Sequence, residues 1–211
     1  LKGLERVANK VPTTPITYSL VTSMSGWIMR RYGLGAAVGV LVAFGGLLRT
    51  KEILTVRKCD IIWRGDHVVQ TTIRLGITKN NREQVCMLEP NSIAERALKF
   101  LCESDQCPMF GPIFNLATYS VLYRYVKEFN AYFNINLRFT PHSFRAGGAT
   151  NLRLRGFTHS QICDMGRWQS ESTAKSYVDV VFNILPETIQ VERRVTPSGN
   201  GAIADILSDP F

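Results

Sequence analysis

Most of the residue patterns that announce an enzyme are missing from this chain. It has no phosphate-cradling glycine loop, no Gly-x-Ser-x-Gly and no His-Glu-x-x-His. P-loop nucleotide chemistry, serine-elbow hydrolysis and zincin-type proteolysis therefore have no carrier. Carboxylates are not clustered, which speaks against a metal centre built from them. The five cysteines, Cys59, Cys86, Cys102, Cys107 and Cys163, are an odd number without the spacing of a small disulfide scaffold. They read as free thiols in a reducing compartment. Cys102 and Cys107 offer two zinc ligands, but a second pair at metal spacing is missing, so no metal or other cofactor is expected. The longest apolar run, Leu34 to Leu48, is broken by glycines and falls short of the roughly twenty residues a spanning helix needs. A buried helix is the better reading, with no membrane partner. Residues 1–10 are charged and lead into no apolar signal-peptide core, so an intracellular protein is expected. Internal repeats and low-complexity tracts are also absent.

What is present is a globular composition. The 211 residues are 45% hydrophobic and 20% charged, enough for one domain with tails. Lysine and arginine outnumber the acids 25 to 17, a formal charge of +8 with a pI near 9.4. That excess favours an anionic partner, nucleic acid before membrane surface.

Residues 1–10 look like a linker remnant, residues 11–190 like one domain, and residues 191–211 like a polar tail ending in the apolar cluster Ile203, Ile206, Leu207 and Phe211. Helical spacing of Leu20, Val21, Met24, Trp27 and Ile28 predicts a helix over 16–31, and a more buried one follows over 36–48. Arg49 stands at its end, where a cation is favoured by the helix dipole, with Glu52 three residues on. Strands are expected over 58–63, 69–75 and 85–88, with Arg64-Gly-Asp66 as a turn. Together they make a small antiparallel sheet, and Lys79-Asn-Asn at the second turn projects a lysine that is otherwise simply solvated. Ser92 with Glu95 forms a capping box for a helix to about Cys102, its core face Ile93, Ala97, Leu98 and Leu101. A helix over 115–133 puts Leu122, Tyr125, Phe129 and Tyr132 on one stripe.

The densest stretch is Thr140 to Tyr177. Thr140 suits an N-cap and Pro141 a first helical residue. His142 and Arg145 then share a face in the first turn, beside free backbone N–H groups suited to phosphate. Gly147 and Gly148 each lower helix propensity by about 1 kcal/mol, which points to close backbone packing. Thr158 with Gln161 is a further capping box, opening a helix that Gly166 ends. Trp168 sits in the next turn, and a last helix from Ser170–Ser172 carries Tyr177.

These residue types fit phosphodiester cleavage. The phosphorane-like state needs fixed positive charge, and guanidinium supplies it bidentately, so Arg49 and Arg145 are candidates. His142 adds a donor or an acid/base. A phenol such as that of Tyr177 can attack covalently once a cationic site favours phenolate. Lys79 on its hairpin could reach a groove and deliver a proton.

In this order and spacing the set resembles the catalytic domain of the tyrosine recombinases, the phage integrase family. Members carry an arginine after a Gly-Leu-like helix end, a lysine in a β-hairpin, a His-x-x-Arg, a His or Trp, and a tyrosine nine residues later. Gly46-Leu-Leu-Arg49-Thr-Lys-Glu52 matches the first box, and Lys79 the hairpin lysine, with Lys51 and Arg82 as its rivals. His142-Ser-Phe-Arg145 matches the third box, Gly166-Arg-Trp168 stands where many members have Gly-His, and Tyr177 matches the nucleophile. Pro141-His-Ser-Phe-Arg-Ala-Gly-Gly-Ala-Thr150 is similar to the Crypton and DIRS-like recombinases of eukaryotic mobile elements. The resemblance covers roughly residues 11–185.

It implies an α+β, mainly helical domain with a small three-stranded antiparallel sheet. The implied activity is DNA strand cleavage and rejoining through a 3′-phosphotyrosyl link to Tyr177. Arg49, Arg145 and His142 would hold the phosphate, Trp168 support it, and Lys79 protonate the leaving oxygen. The implied partners are double-stranded DNA and further copies of the chain, with the apolar tail docking in trans or remaining an ordinary amphipathic end. A eukaryotic host would place the protein in the nucleus. Members usually carry an N-terminal clamp domain, which these residues lack, so they are expected to bind DNA weakly alone. Two alternatives stay open: supercoil relaxation of the type IB topoisomerase kind, and a domesticated DNA-binding module that no longer cleaves.

Overall fold

The structure, a computed structural model, describes residues 14–65, 67–77, 83–178, 190–193 and 195, with the backbone alone at 77 and 176–178. It is built around one helix. α2 (Leu34–Gly45) is buried at every residue from Leu34 to Phe44, so it has no solvent face to keep polar. The long helices α1 (Tyr18–Tyr32), α4 (Ile93–Glu103) and α6 (His142–Leu154) pack against it. Thr17 caps α1 by accepting the Leu20 N–H at 3.3 Å.

The apolar run does not continue as helix to Leu48. Gly46 caps α2, and Leu47 turns the chain with a φ of 49°. Arg49 therefore is not a cation at the end of the buried helix. It is the N-cap of a short helix, α3 (Thr50–Ile53), where the dipole offers it nothing, and Glu52 holds it instead.

The three-stranded antiparallel sheet is present in the order β1-β2-β3, with shorter first and second strands than the sequence suggested and a third that begins two residues earlier. Residues 58–60 form a 3-10 turn in which the Asp60 carboxylate accepts from the Arg57 backbone and guanidinium, so β1 is only Ile61–Ile62. β2 is Thr72–Ile77, and Val69 lies outside it, 84% exposed. β3 is Glu83–Met87, with Ile73 opposite Cys86 and Arg74 opposite Val85. The connection carrying Lys79 and Arg82 lies outside the described residues.

Ser92 caps α4 as expected, accepting the Glu95 N–H at 3.3 Å. The returning half of the capping box is diverted. The buried Glu95 carboxylate accepts from Asn91 N and Thr71 Oγ1, both at 2.6 Å, which ties α4 to the sheet. α5 (Tyr119–Tyr132) starts later than the apolar stripe suggested, because Asn115 takes a φ of 54° and Thr118 caps the helix. Leu122, Tyr125 and Phe129 are buried, but Tyr132 is 62% exposed and receives the Arg31 guanidinium at 4.8 Å from its ring.

The glycine pair in α6 marks the tightest backbone contact in the fold. A Cβ on Gly147 would sit 1.9 Å from the Ile16 carbonyl oxygen, and one on Gly148 would sit 2.2 Å from that of Phe44. α7 (His159–Gly166) is opened by Thr158 and Gln161, each capping the other's backbone N–H, and α8 (Glu171–Val178) packs on α6 and α7. A small second core of Leu47, Ala149, Leu152 and Ile162, with Trp168 against it, joins these helices to the end of α2.

The expected boundary at 190 is displaced. Val191 and Val195 are buried in the main core, and the Glu192 carboxylate accepts from the Thr17 hydroxyl, so this segment belongs to the domain. The remainder of the tail, with Ile203, Ile206, Leu207 and Phe211, lies outside the described residues, as does the linker 1–10. All five cysteines are free, and among the described residues no helix is long and apolar enough to cross a membrane.

Candidate active site

The site is assembled where the turn after α2 meets the turn after α7, over the buried face of α6. Arg145, one turn into α6, is only 4% exposed. A buried guanidinium needs its donors satisfied. One Nη donates to the Leu47 carbonyl and the other to the Gly166 carbonyl, one from each turn. Its carbon lies 4.3 Å from the centre of the Trp168 ring, a cation–π contact. Trp168 is seated by its own N–H on the Cys163 carbonyl at 3.0 Å. It lies so close over Gly166 that a Cβ there would fall 1.9 Å from the ring.

Arg49 is more open, its side chain 42% exposed. Nη1 donates to Glu52 Oε1 at 2.7 Å and to Gln84 Oε1 at 3.2 Å, and Nη2 to the Arg167 carbonyl at 3.2 Å. The contact with Gln84 anchors the strand that follows residues 78–82 to the site. Glu52 Oε2 accepts the Arg49 N–H at 2.7 Å and Arg167 Nη2 at 2.9 Å. One carboxylate, with its side chain 9% exposed, thus serves two arginines.

Arg167 is the residue the sequence reading missed. Gly166, expected to end α7, is its last helical residue, and Arg167 takes the left-handed cap with a φ of 58°. That conformation costs a residue with a Cβ roughly 1–2 kcal/mol. Its side chain is 8% exposed and also donates to the carbonyls of Gly46, Leu47 and Met165 at 3.3, 3.1 and 3.2 Å. No local spacing could have paired it with Glu52, 115 residues away.

His142 opens α6 and is exposed, its ring centre 6.4 Å from that of Tyr119. Thr140 serves this end of the helix through its backbone, not its hydroxyl. Its carbonyl accepts Ser143 N at 2.8 Å, and its N–H donates to Ser143 Oγ at 2.9 Å. Tyr177 lies in the last turn of α8, and its side chain is outside the described residues. Lys51 is exposed on α3, while Lys79 and Arg82 lie outside the described residues.

The structure therefore brings Arg49, Arg145 and Trp168 together, adds Arg167 and Glu52, and leaves His142 at the helix opening. Three guanidiniums, two of them on the single Glu52 carboxylate, make an excess of fixed positive charge, suited to a phosphate. Beneath them Cys86 is fully buried, and burial pushes its thiol up to about 12, so it stays neutral and adds no anion. Among the described residues no group of three or more His, Cys, Asp or Glu could hold a metal ion.

The model of the phage integrase family matches residues 28–183. No curated protein matches the chain in sequence. Among solved structures, the chain is similar to XerH site-specific recombinase bound to palindromic difH substrate in a post-cleavage complex. The TM-score is 0.63 at 18% identity, covering 88% of this chain and 54% of that one. XerA recombinase matches with a TM-score of 0.63 at 14% identity, over 89% and 68% of the two chains. The Tn1549 transposon integrase in complex with a circular intermediate DNA matches with a TM-score of 0.61 at 14% identity, over 81% and 62%. The chain thus spans about half the length of the XerH chain.

Proposed function

The chain belongs to the phage integrase family, and from that premise we propose that it breaks and rejoins DNA at specific sites through a tyrosyl–DNA intermediate. Its fold is that of the tyrosine-recombinase catalytic domain. The observation that carries the reading is the convergence of Arg49, Arg145 and Trp168, far apart in sequence, around the Leu47 and Gly166 carbonyls and Glu52.

In the proposed reaction Arg49 and Arg145 bind the non-bridging oxygens of the scissile phosphate and stabilise the charge that builds on them. His142, exposed at the opening of α6, donates a further hydrogen bond to the same group. The Tyr177 oxygen attacks phosphorus, its proton passes to solvent water, and the bond to the 5′-oxygen breaks, giving a 3′-phosphotyrosyl link and a 5′-hydroxyl. In this reading Lys79 protonates the departing oxygen. Attack by the 5′-hydroxyl of a partner strand reverses the step, so the energy of the phosphodiester is kept in the covalent link. The positive charge comes from the arginines.

Exchange between two duplexes calls for several copies of the chain on DNA, with the apolar cluster of the 191–211 tail proposed to dock in trans. We further propose a role in a mobile element, nuclear in a eukaryotic host, on the sequence resemblance of Pro141 to Thr150 to Crypton and DIRS-like recombinases. The test is incubation of the protein with nicked suicide duplexes bearing the ends of its element. A DNA–protein adduct resistant to SDS is expected. Failure to form one on any end contradicts the reading, and relaxation of a plasmid without such ends favours the topoisomerase alternative.

A further inference from the structure

Two residues with a Cβ hold left-handed backbone in the site, Leu47 at φ 49° and Arg167 at φ 58°. Each forms one of the two turns that meet over Arg145, and Arg167 Nη2 donates to the Leu47 carbonyl at 3.1 Å. A non-glycine residue keeps such a conformation only where surrounding contacts impose it. Here the contacts are those of the Arg167 guanidinium, which reaches three carbonyls and Glu52 Oε2.

We infer that Arg167 is a positioning residue for the reaction proposed above, setting the pose of Arg49 through Glu52 and the height of Trp168 over Arg145. Arg49 has three side-chain acceptors, and two depend on Arg167. Its carbonyl receives Arg49 Nη2, and its guanidinium holds Glu52, which receives Arg49 Nη1. Arg145 depends on it at one remove. The Leu47 carbonyl takes both guanidiniums, and the Gly166 carbonyl is one peptide from the Arg167 turn. The side chain of Arg167 is buried, whereas that of Arg49 is 42% exposed and open to a phosphate. Arg167 thus shapes the site without touching DNA.

Glycine at this position keeps the left-handed turn at no steric cost while removing the whole side chain and its hold on Glu52. Arg167→Gly is therefore expected to unfold at a lower temperature than the parent, because the buried Glu52 loses a partner, but to bind duplex DNA with unchanged affinity while folded. Its single-turnover rate of adduct formation on a nicked suicide duplex should fall about 100-fold, the scale of a misplaced catalytic group. Methylguanidinium chloride at tens of millimolar, but not potassium chloride at equal ionic strength, should restore part of the rate. Independently of cleavage, the guanidinium N–H resonances of Arg49 in DNA-free protein should be protected in the parent and lost in the variant. Should the glycine variant not fold, Arg167→Lys, which keeps the charge without the fork, carries the same two readouts. A variant that cleaves at the parental rate, or keeps the parental Arg49 signals, overturns the inference. A parent that forms no adduct refutes the recombinase reading instead, and the positioning claim is then decided by the Arg49 signals alone.

Discussion

The Arg145 guanidinium carbon lies over Trp168, 4.3 Å from the ring centre, while its two Nη groups reach carbonyls of two different turns. The geometry makes Arg145 a fixed part of the wall of the site. A charge held this way needs little reorganisation when a phosphate arrives.

The first prediction concerns that wall. Lysine cannot bridge two carbonyls and stack at once, so Arg145→Lys should slow strand cleavage about 100-fold, near 3 kcal/mol, with DNA affinity largely kept. Trp168→Ala removes a cation–π contact of about 1–2 kcal/mol and should cost about tenfold, whereas Trp168→Phe should cost less. Single-turnover cleavage measures both. Parental rates in Arg145→Lys would remove the phosphate-clamp role from Arg145.

The second concerns α6. A methyl group on Gly147 or Gly148 must displace a backbone carbonyl of the segment entering α1 or of α2, and neither can swing away as a side chain would. Gly147→Ala and Gly148→Ala should each destabilise by about 1–3 kcal/mol or more despite the better helix propensity of alanine. Urea unfolding decides it, since propensity alone would raise stability.

The third concerns pH. The hydrogen bond from Arg155 holds the Glu89 carboxyl below its ordinary value near 4.5. The folded value lies below the unfolded one, so the stabilisation is present above the unfolded value and is lost as pH falls through the depressed one. Both side chains are nearly half exposed, which limits the pair to about 1 kcal/mol or less. A double-mutant cycle of Arg155→Ala and Glu89→Gln should show that coupling at pH 7 and none in acid below the depressed value.

The sequence made the helices and the members of the site legible through local signals. Caps at Thr158 and Ser92, the uncharged, apolar run of α2 and the paired glycines of α6 each act within a few residues. What it hid was decided at long range. Glu95 leaves its capping box for Thr71, which periodicity cannot show. Arg49 looked like a helix C-terminal cation because the turn at Leu47 is invisible in composition. Arg167 drew no role from its place between Gly166 and Trp168 because its partners, Glu52 and the Gly46 and Leu47 carbonyls, come from the other end of the chain. Val191 and Val195 read as tail because two valines among polar residues carry no period, yet they complete the core.

The central claim is that Tyr177 is the nucleophile of a DNA-cleaving site built by Arg49, Arg145 and Trp168. The most direct measurement compares the parent with Tyr177→Phe on a nicked suicide duplex, resolved by SDS gel, with DNA binding followed in parallel. The account predicts an adduct with the parent, none with the variant, and equal DNA affinity for both. An adduct that persists in Tyr177→Phe would contradict it.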